Sequence, residues 1–99
     1  MLDIDRQIWE EELETFVPKH IFDAHTHIFK KEHCFKPHPS WLKKVEFKMD
    51  LSFLKKYYSI FLPGREIHYL LMGFPFIHCD FDSMNAFVAN EASKDSLSV

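Results

Sequence analysis

Apolar residues along the first part of the chain recur with helical spacing. From Ile4 to Phe16 they fall on one stripe, and Pro18 ends the segment because proline cannot continue a helix. The stripe contains Ile8 or Trp9, then Leu13 and Phe16. The pattern predicts an amphipathic first helix.

The next apolar run, from Ile21 to Ile28, is short and is bounded by Pro-Lys and Lys-Lys. These features are typical of a buried strand. Because strand side chains alternate between faces, the pattern assigns two sets. One face would carry Phe22, Ala24, Thr26 and Ile28, and the other Ile21, Asp23, His25 and His27. We therefore expect one apolar face and a second face that ends in two imidazoles.

A long connection, residues 30 to 49, follows this strand and contains a predicted short helical turn around Trp41 to Phe47. Loops of this length are uncommon unless they are functional. Asp50 then caps a predicted helix, which Pro63-Gly64 ends. Its apolar positions are Leu51, Leu54, Tyr58 and Phe61.

A second strand is predicted from Glu66 to Met72, before the breaker segment 73–75, which ends it. Asp82 or Ser83 is expected to cap a last helix that continues to about Lys94. Strands that alternate with helices predict an α/β fold with a parallel sheet of βα units. Because the crossover between parallel strands is right-handed, we expect the helix over Asp50 to Leu62 to pack on the face of the first strand that bears Phe22 and Ala24.

Composition excludes several classes of protein. The 99 residues are 46% hydrophobic and 27% charged, which suits one small globular domain or part of one. A net charge of −3 argues against a nucleic-acid partner. The acidic N-terminus does not suit a signal peptide, and no apolar stretch approaches the ~18 residues of a membrane span, so we expect a cytoplasmic protein. In that compartment Cys34 and Cys79 are expected to be reduced thiols.

The stretch IFDAHTHIF (residues 21 to 29) contains the strongest candidate site, the pair His25 and His27. Two histidines at i and i+2 of a strand place both rings on one face, where neutral imidazoles can bind one transition-metal ion such as zinc. The alternative is that both are polar residues at a strand end. Their place at the C-terminal end of a parallel strand, where α/β proteins locate their chemistry, favours a metal site. Asp23 would either orient the pair or anchor a buried network.

The segment FDAHTHIF resembles the opening strand of the metal-dependent amidohydrolase superfamily, particularly its amidohydrolase-related group. The stretch MGFPFIHCDFDSMNAFVANEASKD is similar to the family's second strand end, loop and second helix. The resemblance implies a (β/α)8 TIM barrel in which His25 and His27 are the first two metal ligands. Residues 1–18 would be an N-terminal helix, and 19–99 the first two βα units of that barrel.

The resemblance also implies what this chain lacks. The family completes its site with a Lys or Glu from a middle strand, further histidines and a last-strand aspartate as acid/base group. A complete barrel needs roughly 200 to 250 residues or more, so we expect an incomplete, N-terminal part that is inactive alone. The parent would be a divalent-metal hydrolase acting on a small polar substrate. The alternatives are a metal-dependent decarboxylase on the same barrel and a nonenzymatic α/β interaction module.

Other candidate residues are weaker. His33, Cys34 and His38 could add metal ligands, although their spacing matches no closed zinc motif. Six lysines could steer an anionic substrate but more simply form a solvated surface. They are Lys30, Lys31, Lys36, Lys43, Lys44 and Lys48. His78 and Asp80 lie where they could touch substrate, whereas His68 is expected to be structural. Open strand edges and uncovered aromatic surface predict self-association.

Overall fold

The computed structural model describes residues 2–99 and contains four α-helices and two strands. The order is α1 (Asp3–Ile8), a π-helical continuation (Trp9–Leu13), β1 (His20–Ile28), a 3₁₀ turn (Lys31–His33), α2 (Ser40–Lys43), α3 (Leu51–Phe61), β2 (Glu66–Gly73) and α4 (Phe81–Ala92). The helix–strand order predicted from the sequence is confirmed.

The two strands form a parallel sheet, as the sequence predicts. His20 lies opposite Glu66, and the register continues regularly as far as Asp23 opposite Tyr69. It then shifts, so that Thr26 lies opposite Leu71. Three steps along β1 therefore correspond to two along β2, which is the signature of a β-bulge at residues 24–25.

Helices α3 and α4 cover the same face of the sheet. The core between them contains Ile28, Leu51, Leu54, Ile67, Tyr69, Leu71 and Phe87. Asp50 caps α3 by accepting a hydrogen bond from the Phe53 amide at 2.8 Å, as predicted. The Leu51 amide donates to the buried Glu91 carboxylate at 3.2 Å and so joins the start of α3 to α4. Consecutive βα units thus place both helices on one side, a mixed α/β arrangement.

The prediction that α3 packs on the face bearing Phe22 and Ala24 is wrong. Phe22 is 52% exposed, whereas Ile21 packs against the core that α3 covers. Before the bulge the helix side of β1 carries Ile21 and Asp23, and after it Thr26 and Ile28. The bulge adds one residue and changes the alternation partway along the strand. Asp23 and the two histidines, predicted to share a face, therefore lie on opposite faces.

The first helical segment also differs from its prediction. Its turn at Trp9–Leu13 is π-helical, with the Glu14 amide donating to the Trp9 carbonyl at 2.7 Å. This wider turn shifts the following side chains relative to an α-helical stripe. Trp9 is buried, but Leu13 is 37% and Phe16 81% exposed. The apolar stripe of this segment is therefore only partly buried.

The connection 30–49 folds back on itself. Phe29 and Met49 form an antiparallel bridge with mutual hydrogen bonds of 3.0 and 3.1 Å. The short helix inside it is α2, which begins at Ser40, earlier than the predicted turn around Trp41 to Phe47. The loop thus leaves and returns to the same end of the sheet.

The last residues lie along the free edge of β2. The Val99 amide donates to the Tyr69 carbonyl at 2.9 Å, and the Leu71 amide donates to the Val99 carbonyl at 2.7 Å. This pair of bonds around one residue is the pattern of a parallel ladder. Ser98 adds a hydroxyl that accepts from the Tyr69 amide at 2.8 Å. Asp95 stabilises this segment by accepting from the Ser98 hydroxyl at 2.8 Å.

Because His68 and Asp95 form an ion pair, we predict that docking of this terminal segment on β2 depends on pH. Hydrogen bonds with Asp95 and Glu66 raise the pKa of His68. Burial alone would raise the pKa of Asp95, but hydrogen bonds from His68 and Ser98 lower it to about 2. Protonated His68 therefore stabilises the folded state fully below about pH 6.5, and this stabilisation is lost as the pH rises through the raised pKa of His68. The stabilisation from Asp95 is lost as the pH falls from about 4 toward 2.

Hydrogen exchange of the Leu71 amide, which bonds to Val99, measures this effect. Its protection factor is expected to fall above neutral pH in the unmodified chain and to be low throughout in His68→Gln. His78→Gln, in an exposed loop, is the matched control. A wild-type protection factor that is constant from about pH 5 to about pH 9 would contradict the prediction.

Candidate metal centre

His25 and His27 project together from the face of β1 that the helices leave uncovered. Their Nε2 atoms are 3.1 Å apart, and the ring centroids are separated by 5.0 Å in an edge-to-face arrangement. His25 is exposed and His27 is half-buried. The predicted placement of both rings on one face, near the C-terminal end of a parallel strand, is confirmed.

The main chain of β2 fixes the tautomer of His27. The Nδ1 atom of His27 lies 3.0 Å from the Gly73 carbonyl oxygen, which can only accept, so Nδ1 carries the proton. In the neutral ring, Nε2 then has a free lone pair, which points toward His25. A ring nitrogen that donates to a backbone carbonyl while the other faces a ligand is the usual arrangement of a metal-binding histidine.

Helix α4 approaches the main chain of Gly73 closely, so that a side chain at this position would displace Met84. A Cβ atom at position 73 would lie 2.7 to 2.9 Å from the Met84 side chain, closer than real carbon contacts allow. The glycine therefore lets Met84 pack against the strand end while its carbonyl remains aligned with His27.

The separation of the two Nε2 atoms fits one shared metal ion. Two nitrogens bound at about 2.0 to 2.1 Å with octahedral or tetrahedral angles lie roughly 2.9 to 3.4 Å apart. The observed 3.1 Å lies within this range. The same distance also permits a hydrogen bond between the rings, with the His25 Nε2–H as the donor. A proton and a metal ion would therefore compete for the space between the imidazoles.

Among the residues that the structure describes, no group of three or more His, Cys, Asp or Glu side chains could hold a metal ion. The histidine pair thus supplies two donors, whereas catalytic zinc sites usually have three protein ligands. Further donors would have to come from elsewhere.

Asp23 anchors a half-buried hydrogen-bond network instead of contacting the imidazoles. One carboxylate oxygen accepts from the His25 amide at 3.0 Å, and the other accepts from the Tyr58 hydroxyl at 2.5 Å. Burial raises the pKa of Asp23, but the hydrogen bonds from Tyr58 and His25 outweigh it, and the net shift is downward. Asp23 therefore holds the bulge in place from the helix side and positions the backbone of His25.

The residues proposed as additional ligands do not join the pair. The His33 ring is buried, its Nδ1 accepts from the Lys30 amide at 3.0 Å, and burial lowers its pKa. His38 donates from Nε2 to the Cys34 carbonyl at 3.0 Å. Each of these side chains therefore has a local structural partner.

Asp80 caps α4, a role the sequence analysis assigned to Asp82 or Ser83. Its two carboxylate oxygens accept from the Ser83 amide at 3.1 Å and from the Ser83 hydroxyl at 2.8 Å. These bonds lower the pKa of Asp80. His78 is exposed in the loop before α4.

One lysine of the predicted basic surface is held by hydrogen bonds to main-chain carbonyls of the loop. Lys31 donates to the Lys43 and Val45 carbonyls, at 3.2 and 3.4 Å. Lys30, Lys31 and Lys48 line a surface cavity of about 790 Å³ together with Glu32, Glu46 and Asp80. Because both signs of charge line this cavity, and the histidine pair does not, the predicted steering of an anionic substrate stays a prediction.

Aromatic side chains form a wall beside the histidine pair. The Phe74 ring lies 5.5 Å from the His27 ring and 5.4 Å from the Trp41 ring. Trp41 stacks on Phe76 with 6.1 Å between centroids and an interplanar angle of 15°. The loops after β1 and β2 thus meet in an apolar surface at the same sheet end as the imidazoles.

Two residues important to this region had no clear signal in the sequence. The sequence predicted Gly73 only as part of the breaker after the second strand. Its carbonyl contacts His27, which lies 46 positions away. Tyr58 fell on an apolar stripe, although its hydroxyl donates to Asp23. Both contacts join segments far apart in the sequence, so local patterns could not predict them.

No family model, curated protein or solved structure matches this chain. Within residues 2–99, the structure has no helix that is long and apolar enough to cross a membrane.

Proposed function

We propose that this chain forms the first two βα units of an amidohydrolase-type (β/α)8 barrel and that His25 and His27 are two ligands of its divalent metal, with zinc the best fit. The observation that carries the proposal is the pair of Nε2 atoms 3.1 Å apart, one of them on a ring whose tautomer Gly73 fixes. The complete protein would be a metal-dependent hydrolase of a small polar substrate.

The topology supports a barrel. In a (β/α)8 barrel, sequential strands are neighbours in the sheet, and every helix covers its outer face. Here β1 and β2 are parallel neighbours, α3 and α4 cover one face, and the imidazoles project from the other. The parallel hydrogen bonds of Val99 on the free edge of β2 are those expected at the start of a third strand.

The half-covered opposite face also suits a barrel interior. Phe22 is 52% and Leu70 is 37% exposed on this side of the sheet. Inward-facing apolar side chains fill the interior of such barrels, so further strands would cover both residues.

In this proposal the described residues bind and orient the metal and do not transfer protons. When bound, the metal would supply a water of lowered pKa and would polarise the substrate's scissile carbonyl group. His25 and His27 act as ligands, Gly73 fixes one of them, and Phe74 limits access of water from one side. Residues 2–99 supply the pair with two metal donors and no third, so the chain alone is expected to show no metal-dependent turnover.

A metal-dependent decarboxylase would use the same ligand pair on the same barrel. The groups that distinguish hydrolysis from decarboxylation would lie on later strands. The nonenzymatic α/β module differs because it needs no metal at the pair.

Zinc binding to the chain tests the proposal. Zinc is titrated against a chromophoric chelator, with His25→Ala, His27→Ala and the double variant in parallel. Each single replacement is expected to weaken binding by at least the roughly 10- to 100-fold that loss of an outer partner of a metal ligand costs. Nitrogen-15 spectra of the imidazoles should show zinc-dependent shifts at the Nε2 atoms of both rings.

His20→Ala and His78→Ala are matched controls, because both residues are exposed histidines away from the pair. They are expected to bind zinc as the unmodified chain does. Equal zinc binding by the double variant and the unmodified chain would remove the ligand role and favour the nonenzymatic module.

A further inference from the structure

Cys34 and Cys79 face each other across a short antiparallel contact between the loop after β1 and the loop after β2. The amide after Cys34 donates to the carbonyl before Cys79 at 2.9 Å, and the amide after Cys79 donates to the carbonyl before Cys34 at 2.8 Å. The two cysteines therefore occupy a non-hydrogen-bonded position of an antiparallel ladder. At such positions the Cα atoms are about 4.5 Å apart and the side chains are close together.

We propose that Cys34 and Cys79 form a reversible disulfide that joins these two loops. Disulfides have Cα separations of about 4.4 to 6.8 Å, so the ladder already supplies the backbone geometry. In the structure both thiols are free and have separate weak partners. The Cys34 thiol donates to the Phe35 carbonyl at 3.5 Å, and the Cys79 thiol donates to Met84 Sδ at 3.8 Å. Formation of the disulfide would require both side chains to rotate away from these partners.

We assign the first attack on a small oxidant to Cys34, because this residue lines a surface cavity. Both cysteines are buried, but Cys34 lines a surface cavity of about 220 Å³ together with His38 and Phe76. The Cys79 thiol is held against Met84 Sδ in the same buried cluster. Burial also raises the pKa of the Cys79 thiol, which lowers the fraction of Cys79 present as thiolate.

The oxidant is a low-molecular-weight disulfide such as glutathione disulfide. The Cys34 thiolate attacks one sulfur of the oxidant, the oxidant's S–S bond breaks, and the first glutathione thiolate leaves. The Cys79 thiolate then attacks the Cys34 sulfur of the mixed disulfide, and the second glutathione leaves. The protein loses two protons and two electrons, and one glutathione disulfide becomes two glutathione thiols.

The bond would link the segments that carry the aromatic wall. Both cysteines belong to the buried cluster that contains Phe29 and Phe76. Closing a loop of this length restricts the unfolded chain and should raise the melting temperature by roughly 15 to 20 °C. This inference does not depend on metal binding by the histidine pair.

The test equilibrates the native chain with mixtures of reduced and oxidised glutathione, then traps free thiols by alkylation for mass spectrometry. The expected product is a monomer about 2 Da lighter than the dithiol form, with a Cys34–Cys79 cross-linked peptide after proteolysis. Its melting temperature should rise, and dithiothreitol should reverse both changes. Cys79→Ser should instead stop at a mixed disulfide between glutathione and Cys34.

The proposal is overturned if native wild-type chain accumulates glutathione adducts or cross-linked dimers in place of the intramolecular bond. It is equally overturned if the thiols are oxidised only at denaturant concentrations that unfold the chain. The wild-type peptide map decides between these results even if a serine variant fails to fold.

Discussion

Replacing Arg65 with alanine is expected to lower the free energy of unfolding by about 2 to 4 kcal/mol and to detach the N-terminal helical segment. The Arg65 side chain is 0% exposed. It donates to the Glu14 carboxylate at 3.1 Å and to the main-chain carbonyls of Pro63, Glu14 and Val17. Its guanidinium carbon also lies 4.7 Å from the Trp9 ring centroid. Alanine would leave these acceptors without a donor.

Urea unfolding gives the free energy, and hydrogen exchange over residues 3–17 reports the detachment. Arg6→Ala, at an exposed arginine on α1, is the matched control and should change neither. Glu14→Gln should have a much smaller effect than Arg65→Ala, because it leaves the three carbonyl contacts intact. Unchanged exchange over residues 3–17 in Arg65→Ala would show that the arginine does not hold this segment.

Replacing Asp23 with alanine is expected to cost about 2 to 3 kcal/mol of stability, because two donors in and beside the core lose their acceptor. The donors are the Tyr58 hydroxyl, whose pKa is raised by burial and by Asp23, and the His25 amide. Urea unfolding measures the loss. A double-mutant cycle with Tyr58→Phe should give a coupling energy of about 1 kcal/mol or more.

Asp23→Asn is the matched variant, since it keeps a carbonyl oxygen that can accept one of these bonds. It should be less destabilising than Asp23→Ala. Because hydrogen bonding lowers the pKa of Asp23, its contribution should be present above the ordinary aspartate pKa near 4 and decline as pH falls further. Strictly additive effects of Asp23→Ala and Tyr58→Phe would contradict the proposed network.

Local signals in the sequence predicted the elements well, because their causes are local. Asp50 and Pro63-Gly64 bracket α3, whose cap and end agree with the structure. The apolar run from Ile21 predicted β1 to within one residue, and the alternation of helices and strands predicted parallel pairing.

The faces of β1 could not be predicted by alternation alone, because counting by twos assumes an uninterrupted ladder. The bulge depends on an Asp23 carboxylate that bonds the amide two residues on and a tyrosine hydroxyl from α3. An aspartate two residues before a histidine was visible in the sequence, but its tyrosine partner was 35 positions away. The alternation still predicted correctly that His25 and His27 share a face, because both residues follow Asp23.

The remaining errors have similar causes. The π-helical turn after Ile8 altered which side chains of the first segment could be buried, and apolar spacing assumed an α-helix. Three nearby residues could each have capped α4. Asp80 is the cap because the helix begins at Phe81. Arg65 follows Pro63-Gly64 and resembles a solvated turn residue, yet its side chain reaches the N-terminal segment.

Because β1 contains one extra residue at the bulge, the strand should tolerate substitution of that residue but not its deletion. Ala24 is exposed, so many side chains could replace it without a steric conflict. Deleting it would instead restore one continuous alternation and turn either the imidazoles or Ile21 toward the opposite side of the sheet. In relatives of this chain, insertions and deletions between Asp23 and Thr26 should therefore be far rarer than substitutions at position 24.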